Sequence, residues 1–250
     1  MKIINGQHIY KSFYTDNEKN TVLQDVSVAI SQGEFVSIMG PSGSGKSTLL
    51  YALSGMDTID SGEVFFGKQS LTTCSENTRA DLRRQKMGFV FQQPVFLKNL
   101  TIIDNILLPA RRDNLRNKEL VGKAEKLLEK TRIGQLAKRM THQVSGGQLQ
   151  RAGICRALIN DPIIIYGDEP TGALNSKAAE EIMEIFLQIN QAGTTILLVT
   201  HDAKVAAQSE RILFMRDGQL IEQLHLGKFT HSQLEKRTEQ VTKKMLQVEI

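Results

Sequence analysis

The nine residues Gly40-Pro41-Ser42-Gly43-Ser44-Gly45-Lys46-Ser47-Thr48 constrain this chain more than any others. They follow an apolar run, Phe35-Val36-Ser37-Ile38-Met39, that reads as a buried strand. They precede Leu49-Leu50-Tyr51-Ala52-Leu53, which reads as the opening of a helix. Strand, glycine-rich turn and helix, with Lys and Ser/Thr at the helix start, make a phosphate-binding P-loop. Gly43 and Gly45 let the backbone curl so that successive N–H groups point at phosphate oxygens. The helix N-terminus adds its partial positive charge. Lys46 supplies a mobile charge for the β- and γ-phosphates, and the Ser47 hydroxyl is placed to ligate Mg²⁺. A Gly/Ser-rich loop that matched by chance would lack this strand–helix setting.

The chain of 250 residues is long enough for one large α/β domain, or a core with a subdomain. A formal charge of +4 points by itself to neither nucleic acid nor membrane. No apolar run approaches the roughly 20 residues that span a bilayer. Residues 1–6 lack the apolar core of a secretory signal. Cys74 and Cys155 are too few for a disulfide framework and have no metal-ligand spacing, so reduced thiols are expected.

Residues 1–35 read as short strands and turns, with apolar alternation over 9–13 and 22–30 and a polar loop at 16–20. An antiparallel flap is the expected result. Further on, 62–67 and 87–91 read as strands and 76–85 as a polar helix. From 92 to about 160 the character is helical, punctuated by Pro94 and Pro109, with Leu120, Ala124, Leu127 and Leu128 on one side of a helix over 115–131. Residues 111–139 hold ten Lys/Arg against four Asp/Glu. That excess fits a solvated helix face, or orientation toward an anionic membrane surface. Runs at 163–167 and 195–199 read as buried strands, with an amphipathic helix over 176–190 between them, a βαβ unit. Residues 211–215 and 219–222 form a hairpin around Asp217-Gly218. The tail beyond Gly227 has weak helical spacing through Leu234, Val241, Met245 and Val248, and reads as a surface helix or a disordered segment.

A second constellation begins where the strand at 163–167 ends in Asp168-Glu169. A carboxylate at that place is where a P-loop protein needs a Mg²⁺ ligand, so Asp168 is assigned to the metal. Glu169 faces the γ-phosphate as a base or as a water-orienting group. His201 also follows a strand end, the edge where open α/β sheets hold ligands. Its position suits either a hydrogen bond to the γ-phosphate or a structural role. Ser145-Gly146-Gly147-Gln148 is a good helix start, a second anion-binding end in a chain that already has one. It is either an ordinary capped helix or a grip on the nucleotide of another copy.

In order and spacing, residues 40–48, Gln92, 145–148, 163–169 and 201 resemble those of an ATP-binding cassette (ABC) ATPase, over residues 1 to about 225. The resemblance implies an α/β P-loop NTPase core with a mainly parallel sheet, an N-terminal antiparallel β subdomain and an α-helical subdomain inserted at about 92–160. Residues 226–250 would be a C-terminal tail. It implies a homodimer around two Mg-ATP, with Ser145, Gly146, Gly147 and Gln148 of one copy facing the γ-phosphate held by Lys46 of the other. Gln92 becomes the loop glutamine linking Mg²⁺ and water to the helical subdomain, and His201 the switch histidine. Phe13 becomes the aromatic stacking on adenine, with Tyr10 and Tyr14 as competitors. Val144 stands where the family usually has Leu, and Asn175 where it usually has Asp.

The stretches 34–50 and 167–174 resemble the lipoprotein-release and macrolide-export branch. Asn175-Ser176-Lys177 and Ile106-Leu107-Leu108-Pro109-Ala110 are most similar to Gram-positive exporters for bacitracin-type antimicrobial peptide resistance. The implied partners are a separate integral membrane permease, docking near 92–100, and a sensor kinase through it, with no nucleic acid. The implied place is the cytoplasmic face of the plasma membrane. Mechanotransmission in lipoprotein, macrolide or cell-division work is the runner-up, and a soluble non-transport ATPase comes after it.

Overall fold

A computed structural model describes residues 1–15, 18–110 and 118–250. Asp16 and Asn17 of the expected polar loop, and 111–117 of the basic stretch and helix start, lie outside the described residues. In chain order the elements begin with β1 (Lys2–Thr15), β2 (Glu18–Ser31), β3 (Phe35–Met39), α1 (Lys46–Leu53), β4 (Ser61–Phe66) and β5 (Gln69–Ser70). There follow α2 (Glu76–Lys86), β6 (Met87–Phe91), α3 (Ile102–Leu107), α4 (Lys118–Lys130), α5 (Gly146–Leu158), β7 (Ile164–Asp168) and α6 (Ser176–Gln191). The chain closes with β8 (Thr195–Val199), α7 (Ala203–Ala206), β9 (Arg211–Arg216), β10 (Gln219–His225) and α8 (Leu234–Gln247). Two compact units divide it, one of Met1–Ala80 with Thr195–Ile250, the other Asp81–Thr194.

The first unit holds two sheets. One is antiparallel, in the order β2-β1-β4-β5, as expected for an N-terminal β subdomain. Its strands correct the expectation of short ones: β1 and β2 each run 14 residues. His8 (φ 49) and Asp25 (φ 54) take left-handed backbone beside register shifts, so the inside–outside alternation breaks while the ladder continues. In the other sheet β3 pairs in parallel with β8 on one side and β9 on the other, and β10 returns antiparallel on β9. Every residue of β3 and β8 is buried, which the continuous apolar runs demand. Asp217 (φ 48) and Gly218 (φ 78) turn the β9–β10 hairpin with both central residues left-handed. The tail is ordered as α8, whose Val241 packs with Ala206, Ala207, Ile212, Phe214 and Met39.

The second unit contains the parallel pair β6–β7, the amphipathic α6, and a helical cluster of α3, α4 and α5. Ile102, Ile106, Leu128, Ala152 and Cys155 form its apolar centre. Burial pushes the Cys155 thiol up to about 12 from its ordinary 9.0. Its α6 begins where the Asn175 Oδ1 accepts the Ala178 N–H at 2.9 Å, and buries Ile182, Met183, Phe186 and Leu187 on one stripe.

Candidate functional site

In the first unit, β3 ends at Met39 and the chain turns at once. A Cβ on Gly40 would sit 2.2 Å from the Met215 carbonyl oxygen, so no side chain fits there. Gly45 stands at φ +95, and a Cβ on it would meet the Val22 carbonyl oxygen at 2.7 Å. Gly45 is also the N-cap of α1 and carries no side chain to cap it, so the helix start faces the loop with bare backbone. The β9–β10 turn braces the loop from outside, the Gly218 N–H donating to the Ser44 carbonyl at 3.2 Å. Pro41, Ser42 and Gly43 form the exposed rim, while Ser44, Gly45 and Lys46 are buried and Ser47 and Thr48 half-buried. Lys46 Nζ donates to the Pro41 carbonyl at 2.6 Å, which holds the ammonium over the curl of the loop. The Ser44 hydroxyl is buried without a hydrogen-bond partner among the described residues. A curled backbone, a held ammonium and an orphaned hydroxyl together fit a phosphate chain.

Strand β8 lies parallel beside β3, so His201 leaves the sheet at the same end as the P-loop. The Thr200 N–H donates to the Ile38 carbonyl at 3.1 Å, and Thr200 Oγ1 accepts the Asp202 N–H at 3.0 Å. Asp202 Oδ1 then accepts the N–H groups of Lys204 (2.7 Å) and Val205 (3.3 Å), capping α7. His201 itself is exposed. Phe13 lies on the antiparallel sheet, 43% exposed, against 40% for Tyr10 and 73% for Tyr14. Lys11 Nζ lies 5.0 Å from the Phe13 ring centroid while also donating to Asp57 Oδ1 at 3.0 Å and to the Thr58 carbonyl at 2.6 Å. That buried lysine escapes a reading of strand alternation, because its partners lie more than forty residues away.

In the second unit, Phe91 of β6 is in register with Asp168 of β7, so Gln92 and Glu169 leave the pair at one edge. Glu169 takes left-handed backbone at φ 46, uncommon for a residue with a side chain and costly by about 1–3 kcal/mol. A Cβ on Gly172 would lie 2.9 Å from Gln92 Nε2 and 3.2 Å from Glu169 Oε2. The glutamine amide and the carboxylate thus converge over bare backbone. Sequence reasoning missed Gly172, although a glycine three residues past a strand-end carboxylate was its signal. It also missed Gln150, buried on α5, whose Nε2 donates to the Phe91 carbonyl at 2.9 Å.

Residues Ser145, Gly146, Gly147 and Gln148 open α5 in the same unit. Ser145 Oγ accepts the Gln148 N–H at 3.4 Å and Gln148 Oε1 accepts the Ser145 N–H at 2.8 Å, a reciprocal capping box. The helix start faces a cleft of about 380 Å³, lined also by Arg132, Arg151 and Asn175. Arg151 is paired with Glu181, which leaves Arg132 as the other cation of the cleft lining, and Gly146 is exposed. Among the described residues there is no cluster of three or more His, Cys, Asp or Glu able to cage a metal. The Ser47 hydroxyl, the Asp168 carboxylate and the Gln92 amide are each a single oxygen donor of the type Mg²⁺ takes alongside waters and phosphates.

Residues 23–172 match the family profile described as ABC transporter. The bacitracin export ATP-binding protein BceA of Halalkalibacterium halodurans is 39% identical over 228 residues, covering 91% of this chain and 90% of that protein. The lipoprotein-releasing system ATP-binding protein LolD of Aquifex aeolicus is 40% identical over 200 residues, covering 80% of this chain and 89% of that one. A solved dimer of the ATP-binding cassette MJ0796, in a post-hydrolysis state with ADP and phosphate, superposes with a TM-score of 0.84 at 37% identity. It covers 90% of this chain and 100% of that structure's chain. The architecture is that of a P-loop NTPase, and the chain belongs to the ABC transporter family as an ATP-binding, ATP-hydrolysing subunit.

Proposed function

We propose that two copies of this chain close head to tail around two Mg-ATP and drive an integral membrane permease in resistance to, or export of, bacitracin-like antimicrobial peptides. The observation that carries the reading is the pair of anion cradles, one at Gly40–Lys46 and one at Ser145–Gln148. A single nucleotide uses one cradle, and a second copy gives the other its ligand. Residues 40–48 hold the phosphates, with Lys46 as the charge on the β/γ side. Ser47, Asp168 and Gln92 hold Mg²⁺, which when bound neutralises phosphate charge and polarises the γ-phosphoryl group. Glu169 orients the attacking water and accepts its proton, while the Gln92 amide fixes that water from the other side. His201 donates a hydrogen bond to the γ-phosphate, and Phe13, with Lys11 over its ring, stacks on adenine. Ser145, Gly146, Gly147 and Gln148 close on the γ-phosphate that the partner copy holds. Residues 1–225 act as one ATPase domain with the helical insertion at about 92–160 and a tail at 226–250.

The peptide-resistance assignment rests on likeness to the bacitracin export protein. On this reading the chain works at the cytoplasmic face of the plasma membrane, with a sensor kinase reached through the permease and no nucleic-acid partner. Likeness to the lipoprotein-releasing protein supports a second reading, mechanotransmission to a permease of that class. The Glu169→Gln form, captured from detergent-solubilised host membranes with its partners identified by mass spectrometry, separates them. A permease of about ten spans with a large extracellular domain is the outcome expected for the peptide-resistance reading. A four-span partner would favour the second reading, and recovery of no membrane protein would overturn both.

A further inference from the structure

Helix α8 lies outside the residues matched by the family profile, yet one of its side chains is tied to the segment that carries His201. Arg237 is 5% exposed. Its guanidinium donates to five carbonyl oxygens: Leu226 at 2.8 Å, Gly227 at 3.0 Å, Lys228 at 2.5 Å, Ser209 at 3.4 Å and Ala207 at 3.5 Å. Phe229 covers its face, with the ring centroid 5.6 Å from Cζ. Ala207 is the C-cap of α7, and Ser209 lies two residues on. The chain from His201 to Ser209 is therefore held at both ends, by the Asp202 cap at the start of α7 and by Arg237 at its finish.

The size of α7 makes these ties decisive. It has four residues, a single turn, which does not sustain itself without outside partners. Apolar contact alone would hold α8 down at lower cost, since a buried guanidinium must be desolvated and an apolar residue of similar volume is often as stable. What the guanidinium adds is a planar fork that accepts one arrangement of carbonyls. It joins three pieces of backbone into one geometry: the finish of α7, the turn at 226–228, and α8. The same layer reaches the P-loop, because Met39, the residue before Gly40, packs in the cluster with Ala206, Ala207 and Val241.

We propose that Arg237 is a positioning residue for His201, setting through α7 where the imidazole stands when ATP is hydrolysed. The inference rests on the reading of His201 given above. The test is a double-mutant cycle on the full chain, with His201→Ala, Arg237→Leu and the pair, scored by ATPase kcat and KM, nucleotide titration and melting. The expected result is a folded R237L that binds Mg-ATP within about threefold of wild type while kcat falls about tenfold or more, with the double variant no slower than H201A, as for residues acting as a unit. The His201 ring resonances, identified by their loss in H201A, shift in R237L. Arg237→Lys, which offers fewer donors, recovers part of kcat. Losses that multiply in the double variant would overturn the proposal, as would a lowered melting temperature with kcat unchanged. If H201A alone turns over like wild type, the histidine reading fails and the proposal falls with it. If H201A is slow and R237L is not, the proposal alone fails. Should R237L not fold, R237K is carried through the same cycle, and a wild-type kcat with unshifted His201 resonances overturns the proposal.

Discussion

At Gly172 a methyl group is enough to test whether Gln92 and Glu169 act together. No left-handed backbone is recorded there, so alanine enters without strain, yet its Cβ would press on both side chains at 2.9 and 3.2 Å. Gly172→Ala should leave the affinity for ATP without metal unchanged and slow Mg-dependent hydrolysis about 10- to 100-fold, the scale of a group displaced by a fraction of an ångström to one ångström. Isothermal titration beside a phosphate-release assay separates the two effects, and a variant with full turnover would show that the close approach at Gly172 does not fix Glu169 and Gln92 in place. Lys46→Ala gives the opposite signature. The ammonium held on the Pro41 carbonyl is the P-loop's side-chain charge for phosphate, so its loss should abolish binding in the same titration. Cys155 marks the contrast with a residue that has no such task. Its thiol, pushed up to about 12 by burial, is neutral at pH 8, so iodoacetamide should label Cys74 in the folded chain and reach Cys155 only on unfolding.

The segment preceding α3 depends on a single amide. Asn105 is fully buried; its Oδ1 accepts the Leu97 N–H at 2.8 Å, and its Nδ2 donates to the carbonyls of Leu97, Leu100 and Thr101 at 3.1, 3.3 and 3.0 Å. The same segment exposes Val95 and Leu97, an apolar pair beside Gln92 in sequence. Asn105→Ala should cost about 1–3 kcal/mol in urea unfolding, since it removes the side-chain partner of the Leu97 N–H and of the Leu97, Leu100 and Thr101 carbonyls. Basal ATPase should persist while stimulation by the permease is lost; retained stimulation would detach this segment from coupling. Elements of this unit and the first differ in how far sequence could reach them. The strands β6 and β8, the P-loop and the Asp217-Gly218 turn are local patterns of apolar runs and glycine, and they stand where expected. β1 and β2 were read short because left-handed His8 and Asp25 break the alternation that marks a strand. Lys11, Asn105 and Arg237 were unreadable for another reason. Each is a polar residue buried on backbone carbonyls, and no side-chain pattern records where a carbonyl will be.

For the whole molecule, two copies should assemble only when the second cradle accepts an anion. Gly146 offers a way to test this without disturbing the fold. Among the described residues nothing lies within 4 Å of a Cβ built on it, and an acidic residue in the first turn of α5 is favourable for the helix itself. Gly146→Asp would nonetheless place a carboxylate where the partner's γ-phosphate is to approach, and like charges at that distance repel strongly in a desolvated contact. In the Glu169→Gln background, light scattering with Mg-ATP should show a dimer, and chelation of the metal by EDTA should return it to monomer. The E169Q/G146D form should stay monomeric under the same conditions while binding one ATP per chain with unchanged affinity, because its own cradle at residues 40–48 is untouched. In the proposed function the closed pair is the state that turns over, so G146D alone should lose ATPase activity in proportion to the lost dimer. A double variant that still dimerised would show that Ser145–Gln148 is an ordinary capped helix start. The two copies would then have to meet through another face.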